Sequence, residues 1–127
     1  MAHHPIISIV DDDESVRESL RGFIRSVGFT ANVFASAEEF LAWPDLGTTD
    51  CLLVDVRMPG MNGLELHQRL LADHHQIPVI FMTAYLDEDV RSRAFGNGAV
   101  DFLLKPFSEE ALLNAIKISV KSKMGLQ

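Results

Sequence analysis

The stretch Cys51-Leu-Leu-Val-Asp-Val-Arg-Met-Pro-Gly-Met-Asn-Gly63 decides how this chain is read. Its apolar run, Cys51 to Val54, is short enough to be a strand buried on both faces, as found inside parallel sheets. The run ends in one carboxylate, Asp55, and then breaks into a loop holding Pro59, Gly60 and Gly63. Open parallel sheets bind ligands beyond the carboxyl ends of their strands. Asp55 is therefore expected where such a fold places a reactive group, provided the flanking sequence builds a sheet around it.

On the N-terminal side, Ile6 to Val10 reads as a first strand that ends at Asp11-Asp12-Asp13. The next segment has Val16, Leu20, Phe23, Ile24 and Val27 at helical spacing, with Asp13 as its cap and Gly28 as its stop. Ala31 to Ala35 reads as a second strand. Ser36 and Glu39 have the spacing of a capping box, opening a helix that carries Phe40, Leu41 and Trp43 and stops at Pro44. Gly47 to Asp50 is a polar turn into the central strand.

On the C-terminal side, Leu64, Leu66, Leu70 and Leu71 predict the apolar side of a third helix, running to about Ala72. Pro78 to Thr83 is another compact apolar strand. Asp87 caps a fourth helix with a thin apolar pattern (Val90, Ala94, Phe95), ended by Gly96 and Gly98. Val100 to Leu104 is the fifth strand. Ser108 opens a last helix carrying Leu112, Leu113, Ile116 and Val120. Five strand–helix pairs with short connections predict an α/β fold: a doubly wound, five-stranded parallel sheet with helices on both faces. The chain reads as one domain over residues 1–127.

A chain of 127 residues, 47% of them hydrophobic, can build a real core. Its net charge of −7 argues against gripping nucleic acid or an anionic membrane directly and suits a bound divalent cation. The single cysteine, Cys51, cannot form an internal disulfide and reads as a small buried hydrophobe. No segment resembles a signal peptide or membrane span, so a cytoplasmic location is expected. His3 and His4 read as a frayed terminus and not as a metal site.

Polar groups fall at the ends of four of the predicted strands: Asp11 and Asp12, Asp55, Thr83, and Lys105. Each alone would be an ordinary turn or surface residue; together they line one sheet edge. Three close carboxylates repel one another and call for a cation, and hard oxygen ligands favour Mg²⁺ or Mn²⁺. A cation and an ammonium on either side of a carboxylate can neutralise phosphoryl oxygens, and a threonine hydroxyl can donate to one of them. An aspartate can itself be the nucleophile and form an acyl phosphate. Asp55, central in this set, is the candidate.

These residues carry a resemblance. The chain is similar over nearly its whole length to the receiver domains of two-component response regulators. The match lies in Ile-Val-Asp-Asp-Asp at 9–13, Val-Asp-Val-Arg-Met-Pro-Gly-Met-Asn-Gly at 54–63, Phe-Met-Thr-Ala at 81–84 and Asp-Phe-Leu-Leu-Lys-Pro-Phe at 101–107. The resemblance implies a flavodoxin-like sheet of strand order 2-1-3-4-5 and phosphorylation of Asp55 by a sensor histidine kinase. It implies Mg²⁺ held by Asp12 directly, by Asp11 largely through water, by Asp55, and by the backbone carbonyl of Arg57. Lys105 would pair with the phosphate across a cis bond to Pro106. Thr83 and Phe102 would form the switch pair, with small Ala84 leaving room for the movement. Arg57 and Tyr85 would influence the lifetime of the acyl phosphate, and we expect their bulk to shield it from water.

The family further implies a read-out face made of helix four, strand five and helix five, with phosphorylation-promoted homodimerisation. Residues 34–41, Phe-Ala-Ser-Ala-Glu-Glu-Phe-Leu, are similar to the FixJ-like branch, which attaches a C-terminal helix-turn-helix output domain. Residues from about 122 to 127 accordingly read as a tail or the start of a linker to an output domain that is not in this chain. As a signalling phosphoacceptor the chain is not expected to be an enzyme. Three other readings compete. A haloacid-dehalogenase-like phosphatase would place its nucleophile after strand one. A flavodoxin-like cofactor binder would need a phosphate loop where this chain is acidic. A degenerate receiver acting only as an interaction module would have lost site residues that are all present here.

Overall fold

The computed structural model describes residues 4–123. Five strands, β1 (Ile6–Val10), β2 (Thr30–Phe34), β3 (Cys51–Asp55), β4 (Val79–Thr83) and β5 (Asp101–Leu104), form one parallel sheet in the order β2-β1-β3-β4-β5. Five helices connect or follow them: α1 (Glu14–Ser26), α2 (Ala37–Leu41), α3 (Gly63–Ala72), α4 (Glu88–Gly96) and α5 (Glu109–Lys123). This is the doubly wound architecture expected from the pattern of elements, in the strand order the family resemblance implies.

The side-chain alternation of the strands explains the two layers. Ile7, Ile9, Cys51, Leu53, Ile80 and Met82 point to one face, where they pack with α1 and α5 through Leu20, Ile24, Leu112 and Ile116. Val10, Leu52, Val54, Val79 and Phe81 point to the other, against α2, α3 and α4 through Phe40, Leu64, Leu66, Leu70 and Ala94. Every residue of β3 and β4 is buried, so neither strand shows a polar alternation. Each fully buried Leu, Ile or Phe contributes about 1.5–3 kcal/mol. That drive holds the strand ends in one line.

Several boundaries differ from the sequence expectations. β2 runs one residue earlier than Ala31–Ala35, because Thr30 pairs with Ile6. α2 ends at Leu41, so Trp43 lies beyond it, yet its ring still packs 5.3 Å from that of Phe34. The Ser36 box is half formed: Ser36 Oγ accepts from the Glu39 N–H, while Glu39 accepts instead from the Ala35 N–H. A complete capping box stands at α3, where Asn62 and Glu65 each accept the other's backbone N–H. Val27, Leu71 and Phe95, expected on apolar faces, are exposed; Val27 caps the end of α1, and the other two lie near helix ends. Gly47–Asp50 is not a simple turn. A 3-10 turn covers Leu46–Thr48, and Thr49 and Asp50 are buried, bonded to Ser8 and to the Ile6 N–H. α5 continues through Lys123, so Ser122 and Lys123 are helical; residues 124–127 of the expected tail, and His3, lie outside the described residues.

Cys51 is fully buried, and desolvation pushes its thiol up to about 12, which makes it the inert hydrophobe the sequence suggested. Among the described residues no helix is long and apolar enough to cross a membrane.

Candidate functional site

Parallel pairing brings the carboxyl ends of four strands to one edge. Val10 is level with Val54, Asp55 with Met82, and Thr83 with Leu104. Backbone bonds carry this register past the strand ends: Val56 N–H donates to Met82 O, and Lys105 N–H to Thr83 O at 2.7 Å. The backbone positions of Asp11, Asp55, Thr83 and Lys105 are thereby set by the ladder, Asp11 N–H donating to Phe34 O in the same way.

At the centre stands Lys105. Its Nζ donates to Asp11 Oδ2 at 2.9 Å and to Asp55 Oδ2 at 2.8 Å. The Lys105–Pro106 peptide bond is cis. Asp11 is completely buried, whereas the Asp55 side chain keeps 13% of its surface open and Lys105 21%. The remaining oxygens are satisfied locally: Asp11 Oδ1 accepts from Asp13 N–H and Asp55 Oδ1 from Arg57 N–H. Asp12 is exposed, and carboxylate oxygens of Asp11, Asp12 and Asp55 all lie within 4.8 Å of one another. A trio of hard oxygen donors at this spacing, with one member open to solvent, fits a magnesium-like ion that keeps part of its water shell. Asp13 is not part of the trio; its Oδ1 caps α1 by accepting from Ser15 and Val16 N–H.

The electrostatics follow from burial. Desolvation raises the Asp11 carboxyl above its ordinary value; the bonds from Asp13 and Lys105 offset this only in part, and the Asp55 charge adds to it. Burial works to lower the Lys105 ammonium, but the bonds and charges of Asp55 and Asp11 outweigh it and hold its pKa above normal.

Thr83 is buried, and its Oγ1 both accepts from Tyr85 N–H and donates to Tyr85 O, each at 3.2 Å. Phe102, half-buried on β5, lies 6.4 Å from the Phe81 ring on the neighbouring strand. The Arg57 guanidinium stacks over the Tyr85 ring at 5.2 Å, so these two residues, paired in the sequence only by their offsets from Asp55 and Thr83, touch each other.

Three contributors were not evident from the sequence. Arg17 on α1 donates to the Asp11 carbonyl at 2.8 Å and steadies the acidic turn. Glu38 on α2 accepts the Met61 N–H at 3.0 Å and ties down the Pro59–Gly63 loop; that bond also lowers its pKa. Gly63 was visible as a loop residue, but its reason is close packing: a Cβ there would lie 2.5 Å from the Asp55 carbonyl oxygen. The Glu38 contact joins segments 23 residues apart, and the other two cross between a strand end and the element that follows it, so no helix or strand period announces them.

The sequence model of the response regulator receiver domain matches residues 7–117. The response regulator protein TodT of Pseudomonas putida is 42% identical over 116 residues, covering 91% of this chain and 51% of TodT. The transcriptional regulatory protein FixJ of Bradyrhizobium diazoefficiens is 39% identical, again over 91% of this chain and 56% of FixJ. The chain thus spans about half the length of these relatives. The crystal structure of FixJ-N superposes with a TM-score of 0.86 at 38% identity, covering 95% of this chain and 96% of that one.

Proposed function

The chain belongs to the response regulator receiver domain family, and from that premise we propose that Asp55 is the phosphoacceptor of a two-component signalling switch. The observation that carries this reading is the Lys105 bridge between Asp11 and Asp55 beside an open Asp12 carboxylate. An Asp55 carboxylate oxygen attacks the phosphorus of a histidine kinase's phosphohistidine; the P–N bond breaks, and the imidazole leaves with the electron pair and takes up a proton. Lys105 stays paired to the phosphoryl oxygens that form beside it. Mg²⁺ or Mn²⁺, held by Asp12, Asp55 and the Arg57 carbonyl, with Asp11 largely through water, would supply charge neutralisation for the transferring group.

The added group brings about −1.5 to −2 charges and strong acceptors. Thr83 then trades its bonds to Tyr85 for one to a phosphoryl oxygen, and Phe102 turns into the space behind it. Moving such a two-state equilibrium from roughly 1:99 to 99:1 needs about 5.5 kcal/mol of differential stabilisation. The output face is α4–β5–α5, where Phe95, Leu104 and Ile118 leave one large apolar side chain exposed on each element. Phosphorylation promotes homodimerisation there and relays the signal to a C-terminal output domain, of the helix-turn-helix class in the FixJ-like branch. The protein turns over no separate substrate, makes no direct nucleic-acid or membrane contact through this domain, and works in the cytoplasm.

Incubation with acetyl phosphate and Mg²⁺, followed by intact-mass measurement, tests the assignment. We expect one added phosphoryl group that Asp55→Asn abolishes. No addition, from acetyl phosphate or from a phosphorylated kinase domain, would overturn it.

A further inference from the structure

A cavity lies beside the phosphoacceptor loop, not in the acidic site itself. It measures about 740 Å³ and runs between the residues that follow Asp55, the start of α3, and α4. That volume falls within the range of pockets that take small organic molecules, about 300–1,000 Å³. Its floor is apolar: Val56, Met58 and Leu64 are buried, and Val90 is half-buried.

The rim is cationic in a chain that is otherwise acidic. Arg57 stands on the loop side and Arg93 in the last turn of α4. Neither guanidinium has a carboxylate partner among the described residues, whereas the neighbouring Arg91 reaches Glu88 and stacks on Phe95. Arg57 lies over the Tyr85 ring at 5.2 Å, which holds one face of the guanidinium and leaves its N–H edge for a ligand. The one carboxylate on the rim, Glu65, is already turned to its own helix start, accepting the Asn62 N–H at 2.9 Å.

We propose that this groove binds a small amphipathic organic anion, an aryl or branched alkyl carboxylate, with its apolar body on Val56, Met58, Leu64 and Val90 and its charge between Arg57 and Arg93. Guanidinium groups pair bidentately with carboxylates, and an apolar floor supplies the affinity that surface charge alone does not. Such a ligand touches the loop behind Asp55 and α4 at once, so its occupancy is linked to the relative position of those two elements.

The test is titration of the unphosphorylated chain, without Mg²⁺ or phosphodonor, by 2-naphthoate and by neutral 2-naphthamide, followed through backbone amide resonances. This arrangement separates the outcome from the chemistry of Asp55. We expect saturable 2-naphthoate binding, shifts centred on residues 56–64 and 90–93, no binding of the amide, and about tenfold weaker binding in Arg93→Gln with partial recovery in Arg93→Lys. A tenfold loss corresponds to about 1.4 kcal/mol. Arg93 is exposed on α4, so the variant folds. Equal binding of the amide, unchanged affinity in Arg93→Gln, or shifts located elsewhere would overturn the proposal. So would binding of a glutamate-rich peptide with no binding of 2-naphthoate, since that would make the groove a peptide site.

Discussion

Replacing Lys105 by methionine keeps the aliphatic stem and removes the charge that separates two carboxylates. In the native chain Nζ lies 2.9 Å from Asp11 and 2.8 Å from Asp55. At an effective dielectric of about 20, each contact represents roughly 6 kcal/mol of gross attraction. Much of that is offset by the cost of desolvating the ammonium, and protonation of Asp11, whose pKa burial already raises, limits what can be lost. Breaking a buried pair by deleting one partner typically costs about 3–5 kcal/mol, and because Lys105 and Asp55 keep partial exposure, about 2–4 kcal/mol is expected here. The sign with pH follows. Lys105 has a raised pKa, so its contribution is complete below its ordinary value of 10.5 and is lost only as pH rises through the folded value. Across the neutral and mildly acidic range it is constant, and any pH dependence of the loss comes from the carboxylates left behind. Urea unfolding of Lys105→Met and of the exposed control Lys121→Met, at neutral pH and near pH 5, measures this. A midpoint shift of about 1–2 M is expected at neutral pH, with a smaller shift at the acidic pH because burial already raises the Asp11 carboxyl, and partial restoration by Mg²⁺. A loss below about 0.5 kcal/mol, or one of equal size at both pH values without Mg²⁺, would refute the reasoning.

Gly63→Ala drives a Cβ to 2.5 Å from Asp55 O and should destabilise by about 1–3 kcal/mol, while Gly22→Ala, in the open on α1, should stabilise by about 0.5–1 kcal/mol, both read from denaturant midpoints. His67 is buried beside Phe81, its Nδ1 has no hydrogen-bond partner among the described residues, and burial lowers its pKa below the ordinary 6.5. The unfolded chain therefore takes up the proton first as pH falls below that value. Native stability should drop by at most about 1.4 kcal/mol per pH unit for this group, and His67→Leu should remove that component; identical pH profiles would count against it. If the stacked Arg57 and Tyr85 shield the acyl phosphate, Arg57→Ala and Tyr85→Ala should each shorten its lifetime in a dephosphorylation time course, and their double variant should do no more than the larger single effect; unchanged lifetimes would discard the idea.

Strand identity and the line of candidate groups were legible in the residues themselves. Apolar runs such as Cys51–Val54, bounded by turn residues, fit buried strands, and parallel connection brings their carboxyl ends to one edge, which places Asp11, Asp55, Thr83 and Lys105 together. Caps with strong local chemistry, Asp13 and Asp87, were legible for the same reason: their bonds reach only three residues along the chain. The faces of helices were less so. Leu71 and Phe95 carry the right chemistry, yet each is exposed one residue from the end of a short helix.

What the sequence determined by itself is a parallel α/β chain with acidic, hydroxyl and ammonium groups at its strand ends, because period, length and turn chemistry are local. What only the tertiary structure decided is how those groups share charge. One lysine bridges the fully buried Asp11 and the partly open Asp55, Asp12 alone of the acidic trio is exposed, and Arg57 lies on Tyr85. Distances across a sheet and the dielectric at each carboxylate arise from packing of segments distant in sequence, so no reading of neighbours along the chain contains them.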